Sequence, residues 1–224
     1  MATESTEDGW IGRQGSPDER RLSVMRSIGR VLRQSRFSTL TMQAIAEQLG
    51  VTKGNLYYYF SDKQDLLLQF HVFCVDISLN ILSEERARAG SSADKLQAVL
   101  RRHILVLLEE GLGSVMVADL ENAPAERLGA YISKRDEFEH GVRDLIQLGV
   151  EEGSFECPDP RIAGFAILGS INWIPRWYHA DGELTPSQIA DDMVTFFLAG
   201  LWTRGSDVLT TGEAPSLALR QPNS

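Results

Sequence analysis

The stretch Thr41-Met-Gln-Ala-Ile-Ala-Glu-Gln-Leu-Gly-Val-Thr-Lys-Gly-Asn-Leu-Tyr-Tyr-Tyr-Phe60 decides the fold of this chain. It reads as two short helices joined by a tight turn. In the first, Ile45, Ala46 and Leu49 share one face at three- and four-residue spacing. Thr41 is placed to cap its start, and Gly50 supplies the left-handed residue that ends it. Val51 plugs the turn, Thr52 caps the second helix, and Leu56 and Phe60 point inward. Lys53, Asn55, Tyr57, Tyr58 and Tyr59 are left for the remaining surface. One helix face cannot bury three successive tyrosines. Their hydroxyls suit phosphates, and Asn and Lys side chains reach base edges, so this helix is expected to enter a DNA groove. An ordinary helical hairpin inside an all-α domain is the bland alternative.

The run from Gly50 to Phe60, followed by Ser-Asp-Lys63 and Leu66-Leu67, closely resembles the DNA-binding signature of the TetR family of bacterial regulators. Thr, Ile-Ala, Gly-Val-Thr, Gly, Leu-Tyr, an aromatic, Phe and a helix-opening Lys stand in the family's order. The match is tight over residues 18–70 and one of helical layout beyond. The resemblance implies that Lys53 and Asn55 read bases, assisted by Gln43. It implies that Thr41, Thr52, Tyr57, Tyr59 and Lys63 hold phosphates, with Tyr58 able to do either. Arg36-Phe37 departs from the family's usual Gly-aromatic pair.

Charge agrees with a DNA-binding head. The 224 residues carry a net charge of −9, unevenly spread. Residues 18–65 hold eight Lys/Arg against five Asp/Glu, a balance of +3, while residues 1–17 contribute −2 and leave −10 for residues 66–224. A basic head on an acidic body is the polarity expected when one end alone approaches phosphates. At 43% hydrophobic and 24% charged residues, the composition is that of a globular protein with a substantial core. No run approaches the ~20 apolar residues of a membrane span, so no membrane partner is expected. Cys74 and Cys157 lie far apart, and His71, His103, His140 and His179 are scattered, so neither disulfide nor metal site is predicted. A reduced, cytoplasmic setting is the simplest account, and no cofactor is implied.

The pattern along the chain is all-α: a three-helix helix–turn–helix head and a helical body, about nine helices. Residues 1–17 read as a disordered arm, 18–65 as the DNA-binding head, 66–203 as an effector-binding and dimerisation body, and 204–224 as a disordered tail. Helices are expected over 18–35, from Asp62 to about Arg86, over 92–110, 115–120, 124–152, 161–179 and 186–203. The last two carry Ile162, Phe165, Ile167, Leu168 and Ile171, and Ile189, Met193, Phe196, Phe197, Leu198, Leu201 and Trp202. That is more apolar surface than one helix pair buries against a single core. A self-complementary four-helix homodimer interface is one outlet, a large intramolecular core the other. Two heads held ~34 Å apart would read a near-palindromic operator on double-stranded DNA.

For a small-molecule effector, Phe70, Phe73, Cys74, Ile77, Leu105, Leu108, Met116, Phe165, Asn172 and Trp173 are candidate wall residues, each of which also reads as plain core. The segment Asn172-Trp-Ile-Pro-Arg-Trp-Tyr178 with His-Ala-Asp-Gly-Glu-Leu184 resembles the pattern of TetR-family members that sense acyl-CoA thioesters. That likeness adds Arg176 and Trp177 and suggests an acyl-CoA effector, its charged end near Arg101, Arg102, Arg135 or Arg176. Trp173, Trp177 and Tyr178 would otherwise lock the helix end, which Pro175 is expected to kink. Binding is expected to release DNA by respacing the heads, with the helix from Asp62 as the only obvious mechanical link. No catalytic triad, phosphate loop or metal cluster is legible, so an enzyme is not expected. The rival is a DNA-binding architectural protein without an effector.

Overall fold

The computed structural model describes residues 17–34, 39–109, 120, 125–179 and 181–202. Among these residues eight α-helices follow one another: α1 (Pro17–Gln34), α2 (Met42–Gln48), α3 (Lys53–Tyr59), α4 (Lys63–Ala87), α5 (Ser92–Glu109), α6 (Ala125–Glu151), α7 (Pro160–Trp173) and α8 (Pro186–Leu201). The ninth expected helix, with Met116, lies outside the described residues, as do Arg36-Phe37 and both termini. Among the described residues the one β contact is an isolated antiparallel bridge between Phe155 and Trp202.

The helix ends follow from side chains that satisfy backbone groups the helices leave unpaired. Thr41 Oγ1 accepts from Ala44 N (3.1 Å), and Thr52 Oγ1 from Asn55 N (3.2 Å). Gly50, at φ 69°, reverses the chain between α2 and α3 at the point where a Cβ would be strained. Asp62 caps α4 through Asp65 N (2.7 Å), and Thr185 with Gln188 forms a reciprocal capping box on α8. Pro175 has a larger effect than the expected kink. α7 stops at Trp173, and Ile174–Arg176 continue as a single 3-10 turn.

Two hydrophobic clusters share one long strut. The head cluster joins Met25, Ile28 and Leu32 of α1, Ile45 of α2 and Leu56 of α3 to Leu66, Leu67 and Phe70 of α4. It runs past the expected boundary at residue 65 to Cys74, and takes in Leu120 and Tyr131. The body cluster gathers Leu82, Leu96, Leu100, Ile104, Val142, Ile146, Ile171 and Leu198. α4 and α6 cross closely between them, where a Cβ on Gly141 would run into the Leu82 side chain. By length and composition α4 is apolar enough to cross a membrane, contrary to the sequence expectation. Its apolarity has another use here, since Leu66, Leu67, Phe70 and Cys74 feed one core and Leu82 the other. At the far end of α4 the buried Glu85 receives Arg102 (2.7 Å) and Arg88 (2.8 Å). Burial pushes its carboxyl up, and those two guanidinium bonds more than offset this, holding it below the usual range.

Candidate nucleic-acid interface and effector cavity

The head presents α3 to solvent. Leu56 is the one residue of this seven-residue helix that is buried, and Phe60 anchors its end. Lys53, Asn55, Tyr57 and Tyr58 are exposed, Tyr58 at 83%. Lys53 Nζ lies 5.6 Å from the Tyr57 ring centroid, which holds the ammonium over that face. Tyr59 differs from its neighbours. It is half-buried against the head cluster, edge-on to Tyr58 at 5.1 Å, and its carbonyl accepts from Gln69 Nε2 (3.3 Å). Gln43, exposed on α2, donates one amide hydrogen to Glu47 (2.7 Å), which leaves its second N–H and its carbonyl oxygen for another partner. Thr41 and Thr52 spend an oxygen lone pair on capping, so each hydroxyl hydrogen remains available to a phosphate. Lys63 is half-buried at the start of α4.

In the body, a cavity of about 780 Å³ opens between α4, α5, α6 and α7. Of the residues expected from sequence, Phe165, Asn172 and Trp173 line it. Phe70 and Cys74 are packed into the head cluster and Leu108 into the body cluster. Phe73 and Leu105 pack against those clusters from half-buried positions, and Ile77 is half-buried without lining the cavity. Arg176 stacks over Trp173 (5.5 Å) at the exposed end of α7, and Trp177 follows it outside the lining. Arg135, expected near the effector's charged end, lines it too, while the residues missed include the polar Ser78, His103, Tyr131, Glu139 and Arg143 and the apolar Val75, Phe138 and Leu168. Ser78 and His103 interrupt apolar helix faces, the one sequence signal that could have marked them.

The cationic candidates separate cleanly. Arg101 is engaged by Asp191 (2.6 Å) and Arg102 by Glu84 and Glu85 (2.7 Å each), away from the cavity. Arg135 stands at the exposed side of the cavity, bonded to its neighbour Asp136 (2.7 Å), with Arg143 nearby, 3.9 Å from Glu139. The inner wall holds a neutral imidazole: burial pushes His103 down to about 4.

α4 is not the sole connection between cavity and head. Arg127 of α6 pairs with the capping Asp62 (2.9 Å), and Tyr131 packs edge-on against the buried His71 at 5.6 Å. The Asp65 backbone N–H, then Arg127, hold the Asp62 carboxyl below its usual range. Tyr131 belongs to the head cluster and lines the cavity as well. A molecule filling the cavity would therefore touch a residue that packs against the head's own core.

A helix–turn–helix head with a polar recognition helix, set on a helical body that encloses a cavity, defines a DNA-binding regulator of transcription. Residues 30–70 match the model of bacterial regulatory proteins of the tetR family, and residues 89–201 match a tetracyclin repressor-like C-terminal domain. The chain belongs to the TetR family. It is 22% identical over 205 residues to the HTH-type transcriptional repressor KstR2 of Mycobacterium tuberculosis, covering 85% of this chain and 97% of that protein. Its fold is similar to that of the TetR family regulator PfmR from Thermus thermophilus, with a TM-score of 0.70 at 22% identity over 79% of this chain and 97% of that one. It is also similar to AibR in complex with isovaleryl coenzyme A and operator DNA, with a TM-score of 0.64 at 23% identity over 78% of this chain and 96% of that one.

Proposed function

We propose that the protein is a cytoplasmic, homodimeric repressor that an apolar small molecule, an acyl-CoA by preference, releases from a palindromic operator. The observation that carries the effector half of this reading is the 780 Å³ cavity. Its size is that of a small-molecule site, and an architectural protein has no use for it. Val75, Phe138, Phe165, Leu168 and Trp173 make the apolar part of its wall, and Arg135 and Arg143 line it beside Asp136 and Glu139. An acyl chain inside and a polyanionic carrier outside would match both. AibR, a protein of similar fold, forms a complex with isovaleryl coenzyme A and operator DNA, which supports the same reading.

In the DNA half, Asn55 and Lys53 read bases with Gln43, and Thr41, Thr52, Tyr57, Tyr59 and Lys63 hold phosphates, Tyr58 joining either set. The exposure of α3 supports these roles, least of all for Tyr59, whose ring is engaged by the head core. The homodimer uses α7 and α8. Ile162, Phe165, Gly169 and Trp173 make an exposed stripe at helical spacing on α7, and Phe196 is 76% exposed on α8. Phe197 and Leu168 do not belong to that stripe, since Phe197 is in the core and Leu168 is half-buried against it.

Selection of bound fragments from genomic DNA, followed by titration of acyl-CoAs of several chain lengths into the complex, tests the whole reading. A palindromic site released by one chain-length range is the expected result. Recovery of DNA without a shared sequence would overturn the operator. Release by a small planar cation and by no acyl-CoA would overturn the effector class and leave the repressor standing.

A further inference from the structure

The inner wall of the cavity carries one polar pair whose hydrogens can be placed. Ser78 Oγ lies 2.8 Å from His103 Nδ1 and 3.2 Å from the carbonyl oxygen of Cys74, one turn back on α4. A serine hydroxyl has one hydrogen to give. Directed at His103 Nδ1, it would leave two lone-pair oxygens facing each other across 3.2 Å. Directed at the Cys74 carbonyl, it satisfies that contact, and the 2.8 Å contact is then made by an Nδ1–H donating to Ser78 Oγ. The neutral ring has a single N–H, so Nε2 is left as a bare acceptor.

No described residue hydrogen-bonds Nε2, and His103 lines the cavity. The ring is held in place on its other sides, tilted against Phe138 with centroids 4.7 Å apart and tied to α4 through Ser78. Burial keeps it uncharged at neutral pH. A fixed, neutral acceptor on the inner wall discriminates, because a polar group unable to satisfy it leaves both partners unpaired.

We propose that His103 Nε2 is a specificity-determining acceptor, and that the cavity selects effectors bearing a hydrogen-bond donor, a hydroxyl above all, on their buried part. The proposal rests on the cavity being the effector site, and it makes the effector a hydroxylated apolar molecule rather than a plain saturated chain. Ser78 acts through His103 as a positioning residue, since it fixes the tautomer.

Two measurements test this without assuming a CoA group. Long-range proton–nitrogen NMR on the full-length protein labelled with 15N-histidine, free of effector, should show one of its four histidines as the Nδ1–H tautomer, and that signal should vanish in His103→Phe. An Nε2–H tautomer for His103 overturns the proposal, because the cavity would then present a donor. Displacement of a fluorescent apolar dye by 1-octanol and by octyl methyl ether gives the second readout. The ether accepts hydrogen bonds but cannot donate. The octanol-to-ether affinity ratio should fall about threefold to tenfold from wild type to His103→Phe, the size expected of one hydrogen bond. An unchanged ratio, or no saturable octanol binding to the wild type, overturns the proposal. Failure of every acyl-CoA to bind while octanol does removes the acyl-CoA reading and leaves this one in place.

Discussion

α3 and α7 are both helices with too few partners, and the chemistry of what they leave uncovered differs. α3 buries Leu56 and exposes amide, ammonium and phenol groups. Water satisfies such a surface, so the protein can wait for DNA at little cost. α7 is the more apolar helix, yet among its fourteen residues Gly164, Ile167 and Ile171 are the ones buried, while Trp173 stays 59% exposed. Water does not satisfy that surface, and each uncovered ring forgoes about 25 cal/mol per Å² of burial. A polar face left open is compatible with a transient partner, whereas an apolar face left open calls for a permanent one.

The largest expected effect breaks the α7–α8 side of this contrast. Phe196→Glu should convert the homodimer to monomer and weaken operator binding by roughly a hundredfold or more, because one head loses the avidity of two. Since Phe196 is exposed, the melting temperature of the monomer should stay close to that of the wild-type fold measured at low concentration. Phe197→Glu should instead unfold the chain, for a carboxylate would replace a ring that is 8% exposed. Sedimentation and thermal melts of the two neighbouring variants separate interface from core. A Phe196→Glu protein that still sediments as a dimer would place the interface elsewhere.

A second effect, about 3 kcal/mol for each ring, compares the two cores. Burial pushes both His71, in the head cluster's strut, and His103, at the cavity, from 6.5 to about 4. Folded pKa values below the unfolded ones mean that the unfolded chain binds more protons between those limits. Stability is then fully retained above pH 6.5 and lost as pH falls toward 4, with each ring contributing about 1.4 kcal/mol per pH unit inside the window. Asp62 and Glu85, also held below their usual range, add losses of the same sign at lower pH. Denaturant unfolding at pH 7 and pH 5 should show the loss, and His71→Phe should remove about half of the slope. An unchanged slope in that variant would mean that His71 is not protonated differently in the two states.

The head was legible from sequence because its information is contiguous. Caps, turn glycine and exposed face all sit within Thr41 to Phe60, and each is set by neighbours three or four residues away. The cavity is assembled from α4, α5, α6 and α7, and periodicity says which residues of such helices point inward but not what they meet there. Phe70, Cys74 and Leu108 were therefore expected on its wall and are packed into the cores instead. Phe165, Asn172 and Trp173, named on the same pattern, do line it. The tie from α6 to the head was invisible for the same reason, since Arg127 and Asp62 are sixty-five positions apart.

The α3 face can be sharpened by two substitutions of unequal effect. Asn55→Ala should weaken cognate binding by about 1–3 kcal/mol and relax one position of each half-site, with little change on random DNA. Lys63→Ala should weaken cognate and random DNA alike and lower the salt slope by about one ion. Binding isotherms on both DNAs at several salt concentrations distinguish the roles. Equal losses on both DNAs from both variants would dissolve the division between base reading and phosphate holding.

The smallest effect concerns how the two regions communicate. Arg127 and Asp62 pair across an exposed surface, where salt screens the attraction and side-chain ordering offsets it. Asp62 keeps its bond to the Asp65 N–H without Arg127, so the start of α4 survives the loss. Arg127→Ala should therefore shift the melting temperature by about 2 °C or less, and wild-type protein in high salt should resemble it. Tyr131 is a different kind of link, because it is packed edge-on against His71 while it lines the cavity. Coupling needs an element with differential contacts in the two states, and a packed ring supplies this better than a screened ion pair. The ratio of operator affinities with and without effector should accordingly change by less than about twofold in Arg127→Ala, and fall clearly in Tyr131→Ala. A collapse of that ratio in Arg127→Ala would show that the exposed pair, not the buried ring, carries the signal from cavity to head.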